Sequence, residues 1–277
     1  MLRGFYTAAS GMYAQQRRTE MLTNNMSNAN TPGYKADQSS MRAFPEMLIR
    51  RMGETTVPTE KGLNLPVNAA IGSLNTGVYM QEAAPNFLQG SLQQTQRKTD
   101  IALLDTNMPV AADGNKGTVF FTVLNGAGET RYTRNGNFTI DQQGYLTTPD
   151  GYYVLDDNSN RIQLQSENFN VNEEGYISEN GIQIARLGAA FAANPYTLVK
   201  EGDGLLRQTG QPLESAFNNP AAGFQFQQGA IEASNVDISK TMTDMTAAYR
   251  SFEANQKILQ AYDRSMEKAV NEVGKLG

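Results

Sequence analysis

Apolar residues recur every seven positions at both ends of this chain, and nowhere between. At the C-terminal end Ile238, Met245, Phe252, Leu259, Met266 and Val273 form one series; Met242, Tyr249 and Val270 fill companion positions, which Gln256 and Asp263 interrupt. This spacing predicts one long amphipathic helix from about Val236 to Val273. At 1.5 Å per residue it would run roughly 55–60 Å, more than one small β domain can cover. Ser234 or Asn235 can cap its start, and Asp237 suits the positive end of the helix dipole. At the N-terminal end Phe5, Met12, Thr19 and Met26 repeat at the same interval, with Ala8, Gln15 and Leu22 between them. They predict a helix from about Leu2 to Met26. Gly4 and Gly11 either weaken it, by about 1 kcal/mol each relative to Ala, or let a neighbouring helix approach closely. The Asn-rich stretch from Asn24 to Pro32-Gly33 then stops it, with a turn of type II character.

The middle of the chain has a different rhythm. Residues 35–84 keep no sustained period. Met41 to Met52 is read as a short helix ended by Gly53, and the rest as an extended connector with a few strands, such as Val78 to Gln81. Between about 85 and 228, short β-like runs alternate with turn signals. Ile101 to Leu104 and Val119 to Leu124 are such runs, the second rich in β-formers. Asn135-Gly136, between Arg131-Tyr132-Thr133 and Phe138-Thr139-Ile140, is the strongest hairpin signal. Further turns are expected at Gln143-Gly144, Asp150-Gly151, Glu174-Gly175 and Asn180-Gly181, and a loop from Asn107 to Gly117. The predicted class is α+β. Residues 1–34 and 229–277 supply long helices that pair as a coiled-coil-like domain, 35–84 connect, and 85–228 form an all-β domain of short antiparallel strands.

Composition narrows the chemistry. The 277 residues include no Cys, His or Trp. Disulfides, thiol nucleophiles and Cys-ligated zinc are excluded, and the commonest general base and metal ligand is missing. No cofactor or metal is expected. The formal net charge is −5, and the nearest basic patches are the pairs Arg17-Arg18 and Arg50-Arg51. Nucleic-acid binding needs clustered cations, so it is not expected. No run of about 18 apolar residues is present to span a membrane. The first residues lack the continuous apolar centre of a secretory signal.

Several local patterns imitate sites. Asp156, Asn158 and Asn160 open like a calcium loop, with Glu167 at the twelfth position, but Arg161 stands where that loop needs Gly. A polar hairpin turn is the better reading. Gly202-Asp203-Gly204 and the Asp113 to Gly117 stretch lack the Lys-Ser/Thr of a phosphate loop and read as turns. Adjacent acids such as Glu173-Glu174 point to opposite faces of a strand, so catalytic pairing is not expected.

Two terminal motifs carry a resemblance. Thr7-Ala8-Ala9-Ser10-Gly11-Met12, followed by Asn24-Asn25-Met26-Ser27-Asn28-Ala29-Asn30-Thr31-Pro32-Gly33-Tyr34-Lys35, resembles the N-terminal signature of the bacterial flagellar rod and hook proteins. Gly229 to Asp237, containing Ser234-Asn235-Val236-Asp237, with Met242-Thr243-Asp244-Met245, is similar to that family's second signature. Gln89 to Thr95 and Tyr132 to Phe138 resemble its β domain. The loop from Asp105 to Thr118, before Phe120-Phe121, is longer than the family's usual turn.

The resemblance implies a structural, non-enzymatic subunit of the basal-body rod, of distal or proximal type, in the cell envelope. Subunits would stack helically into a hollow shaft that transmits torque, with the terminal helices lining the inner tube. The implied partners are further copies, other rod and hook proteins, and the flagellar type III export apparatus. Phe5, Met12, Leu22, Ile238, Met242, Met245, Tyr249, Phe252, Leu259 and Met266 are the expected assembly seam. The rival readings are a secreted β-domain enzyme or cell-wall-binding module with helical tethers, which would need a converging carboxylate pair, and a monomeric assembly factor.

Overall fold

A computed structural model of the chain describes residues 2–57, 63–111 and 114–273. They divide into two compact units. One gathers Met1–Asn24, Gln38–Ala83 and Ser239–Gly277; the other gathers Asn25–Asp37 and Ala84–Ile238. The Asn-rich motif therefore belongs to the β-rich unit, together with the residues that lead into the last helix.

The helical unit is built on α1 (Leu2–Ser27) and α2 (Ile238–Lys268), the latter continued by a π-helical turn at Ala269–Val273. At 31 residues, α2 is roughly 46 Å long. The two helices run antiparallel: Gly4 meets Tyr262, Gly11 meets Asn255, and Thr23 Oγ1 lies 3.8 Å from Met245 Sδ. A Cβ on Gly4 would stand 2.0 Å from the Tyr262 hydroxyl, and one on Gly11 3.0 Å from Asn255 Nδ2. Both glycines thus serve close approach. On its other flank α1 meets a short ribbon in which Met41–Ala43 pairs with Val78–Met80. Thr7 Oγ1 donates to the Thr76 carbonyl (3.1 Å), and the Val78 amide donates to Ser10 Oγ (3.3 Å).

The expected helix from Met41 to Met52 is absent. Met47–Val57 is a strand, paired antiparallel with Leu63–Leu74. Pro45 lies inside the proposed helix, where it removes an amide donor and clashes with the preceding turn. The chain takes β pairing instead, so much of the segment read as a connector is a long hairpin.

In the β-rich unit the Thr118–Leu124 strand is central. It pairs with Thr130–Thr133, Tyr153–Val154 and Ala189–Ala192, all antiparallel. Alternate side chains on a strand face opposite sides, and here both sides are buried. Val119, Phe121 and Val123 enter the larger core, with Phe138, Leu146, Ile177 and Phe226; Phe120 enters a smaller one, with Phe87, Tyr132, Ala190 and Leu206. The Phe121 and Phe138 rings meet edge-on, with centroids 5.1 Å apart.

Four expected turns connect adjacent paired strands, with Gly144, Gly151, Gly175 and Gly181 at positive φ. The strongest hairpin signal does not. Thr130–Thr133 and Thr139–Ile140 flank Asn135-Gly136 but pair with other strands. The hairpin preceding it turns at Asn125 to Glu129 instead, where Asn125 Oδ1 accepts the amides of Ala127 and Glu129. Gly136 is required for a different reason: a Cβ there would stand 1.7 Å from the Ile101 carbonyl oxygen. The dipeptide brings the backbone against the Ile101–Asn107 strand, and the Ile101 amide donates to the Gly136 carbonyl at 2.9 Å.

Phe121 is fully buried at the centre of the larger core. Phe121→Ala is expected to destabilise the β-rich unit by about 3–5 kcal/mol. Urea unfolding followed by far-UV circular dichroism measures this; a loss below about 1 kcal/mol would contradict the packing described.

Candidate functional site

Two sets of residues stand out: a buried polar clamp made by the terminal motifs in the β-rich unit, and the faces of the helices.

The clamp closes on Glu232, of which 1% is exposed. Its Oε1 accepts from Lys35 Nζ at 2.5 Å and from the Gly90 amide at 2.9 Å; its Oε2 accepts from Arg134 Nε at 2.8 Å. Lys35 also donates to the Leu88 carbonyl at 2.8 Å. Arg134 reaches Asp105 Oδ1 at 3.0 Å and the Val119 carbonyl at 2.5 Å. Lys35 and Arg134 are also buried. Burial disfavours the Glu232 carboxylate, but attraction to Arg134 and Lys35 outweighs it and holds the carboxyl below its ordinary range. Burial draws the Lys35 ammonium down, against the pull of Glu232.

The N-terminal motif braces itself around Asn25. Asn25 Nδ2 donates to the Asp37 carbonyl and Asn25 Oδ1 accepts the Asp37 amide, both at 2.8 Å; the Tyr34 hydroxyl donates to the same oxygen at 3.2 Å. Thr31 Oγ1 donates to Asn28 Oδ1 at 3.2 Å. Gly33 sits at φ +69 with its amide 2.7 Å from the Glu232 carbonyl. A Cβ there would meet the Arg134 backbone at 2.3 Å, so conformation and space both require glycine. From the C-terminal motif, Asn235 Oδ1 accepts the Ala36 amide at 2.7 Å, and its Nδ2 donates to the Asn86 and Leu88 carbonyls. Asn235 is therefore spent on the clamp rather than on capping α2. Ser234 Oγ accepts the Val236 amide at 3.3 Å. Lys200 Nζ closes the outside, 2.6 Å from Asp37 Oδ1 and 4.5 Å from the Tyr34 ring centroid. Burial, then the nearby Asp37, push the Tyr34 phenol up. Pro32 and Val236 are half-buried; Asn24, Asn30 and Asp237 lie at the surface.

Sequence reading gave no role to Glu232, Arg134, Lys35 or Asp105. Their signal was faint: Glu232 is a single charge in a stretch of apolar and small residues, and Asp105 follows an apolar run.

On α2, Met245, Phe252, Leu259 and Met266 are half-buried, as are Phe5 and Met12 on α1, while Leu22 is buried. Ile238, Met242 and Tyr249 are exposed, by 48%, 59% and 56%. The positions alternating with the Met245 series are instead Thr241, Ala248, Asn255 and Tyr262, one residue earlier than the expected companions. Thr241 and Ala248 are buried. Gly4 and Gly11 on α1 face two of these positions, Tyr262 and Asn255.

The imitation sites resolve into structure. Asp156 Oδ1 accepts the amides of Asn158 and Asn160, closing a hairpin turn. Among the described residues, no group of three or more carboxylates is placed to hold a metal. Glu129 and Glu201 line a polar recess of about 510 Å³, and both are bound to Arg131. Hydrogen bonds from Arg131 hold both acids below the usual carboxylate range. Glycosidic cleavage needs one acid raised, so this pair is tuned the wrong way.

The motifs that make the clamp are those recognised by family models. A flagella basal body rod protein model matches residues 5–35, the flagellar hook protein FlgE/F/G D1 domain matches 116–179, and the flagellar basal body rod FlgEFG protein C-terminal model matches 227–272. Over its whole length the chain is 46% identical to the full-length flagellar hook-basal body complex protein FlhO of Bacillus subtilis. The chain belongs to the flagellar hook and basal-body rod family. It is 30% identical to the basal-body rod protein FlgG of Bacillus subtilis, over 98% of this chain and 99% of that protein. With FlgG of Borreliella burgdorferi the identity is 29%, over 98% of each. As a member of this family, the chain is a structural component of the flagellar basal body and not an enzyme.

Glu232 supplies a test of the clamp. Its folded-state carboxyl lies below its unfolded value, so its contribution is present above the unfolded value and is lost as pH falls through the folded one. Glu232→Gln leaves the buried Lys35 ammonium without its ion-pair partner and Arg134 with Asp105 alone. It should cost about 3–5 kcal/mol at pH 7 and flatten the acid limb of stability. Urea melts of both proteins from neutral to acid pH measure this; parallel acid limbs would contradict it.

Proposed function

We propose that the chain is a self-assembling rod subunit. Copies stack helically into a hollow shaft that transmits torque, next to other rod and hook proteins. Full-length likeness to rod proteins carries this reading. The helices support it: each leaves apolar flanks uncovered by its own chain, with Tyr6 and Tyr13 on α1 and Met242 and Tyr249 on α2 all more than half exposed. In the shaft, α1 and α2 pair in coiled-coil fashion, and Phe5, Met12, Leu22, Met245, Phe252, Leu259 and Met266 form the seam between them. Ile238, Met242 and Tyr249 face neighbouring copies.

Export runs through the flagellar type III apparatus. A chain threaded through a narrow channel must be unfolded, and one without cysteine forms no disulfide that would oppose this.

Phe252→Asp puts a charge into the half-buried helix contact. The variant should be exported but fail to enter the basal body, leaving cells non-motile, while the β-rich unit keeps its urea midpoint. Normal swimming by cells carrying only this variant would contradict the reading.

A further inference from the structure

We propose that the outer flank of α1 is a groove for α2 of a second copy, laid antiparallel with Arg3 opposite Glu253, Tyr6 opposite Tyr249 and Tyr13 opposite Met242. The inference rests on the self-assembly reading above and names the surfaces that meet.

The groove has a volume of about 780 Å³ and is lined by Arg3, Tyr6, Tyr13, Phe44 and Leu74, among others. Tyr6 and Tyr13 are each 63% exposed. Phe44 forms part of the facing wall, its ring centroid 5.3 Å from that of Tyr79. Partly open aromatic rings are costly to leave in water, and such rings anchor protein interfaces.

The chain's own α2 cannot fill this groove. It already lies on the Gly4 and Gly11 face of α1, with Tyr262 against Gly4. A second copy carries the matching surface. Met242 and Tyr249 are exposed beside the Met245 series, and Glu253 continues their stripe one turn further on.

Spacing and charge set the register. From Arg3 the groove residues follow at three and then seven positions. From Glu253, read backwards, the α2 stripe follows at four and then seven. One turn and then two turns therefore coincide along both helices. Among the described residues, Arg3 is the one charged residue lining the groove. Neither Arg3 nor Glu253 takes part in an ion pair among the described residues. Antiparallel docking joins them; parallel docking leaves Arg3 and Glu253 at opposite ends of the contact. Complementary rim charges of this kind fix orientation. Groove and stripe are different surfaces of one chain; where they engage two different neighbours, each docked copy still offers one of them and the association continues.

The native chain has no cysteine, so single cysteines report the register directly. A Tyr13→Cys chain is mixed with a Met242→Cys chain under assembly conditions and oxidised. Crosslinked heterodimer should exceed, several-fold, that from Tyr13→Cys mixed with Tyr249→Cys, which is two turns out of register. In cysteine-free chains, Arg3→Glu should slow polymer growth several-fold. Adding Glu253→Arg in the same chain should restore it. Equal crosslinking of matched and shifted pairs, or a double variant slower than the single one, overturns the groove assignment. If wild-type protein polymerises in that experiment, the self-assembly reading stands without this register. If it does not polymerise at any concentration, both fall.

Discussion

Everything in the β-rich unit is arranged so that one buried carboxylate is never alone. Removing a carboxylate from water costs several kcal/mol, and only well-placed partners offset it. Those of Glu232 come from separate stretches of sequence: Lys35 before the long hairpin, Gly90 at the start of the β region, and Arg134 beyond its central strand. Asp105 in turn shares Arg134. The strands between 85 and 228 are therefore not self-sufficient. Their polar centre is completed by residues 25–37 on one side and 229–235 on the other, which is why both terminal motifs fold with the β unit rather than with the helices they adjoin.

The same constraint explains what the sequence could and could not reveal. Helices and most turns are local: a seven-residue repeat or a glycine at positive φ announces itself, so α1, α2 and the turns at Gly144, Gly151, Gly175 and Gly181 were legible. Asn135-Gly136 was misread because its glycine answers a distant demand, the approach of the Ile101 carbonyl, and not a tight turn. Met41 to Met52 was read as a helix although Pro45 lies inside it, and most of it pairs as strands instead. The clamp was legible only as motif. Asn25, Gly33 and Asn235 were singled out by resemblance, but the ion pairs of Glu232 with Lys35 and Arg134 span up to 197 positions, a pairing no local pattern encodes.

The helical unit obeys a different economy. Glycines on α1 let α2 approach closely: Gly4 meets Tyr262, Gly11 meets Asn255, and Thr241 and Ala248 on α2 are buried. This accounts for the one-residue shift between the expected companion positions and the buried ones. Large residues that would crowd such a contact are displaced to its flanks, where Met242 and Tyr249 now stand.

A lean intramolecular contact and apolar flanks have a common consequence. The exposed flanks, Tyr6 and Tyr13 on α1 and Met242 and Tyr249 on α2, hold apolar area that burial would reward at about 25 cal/mol per Å². In the proposed assembly the β-rich unit is held around Glu232 within one chain, while neighbouring copies would cover the flanks of the helices.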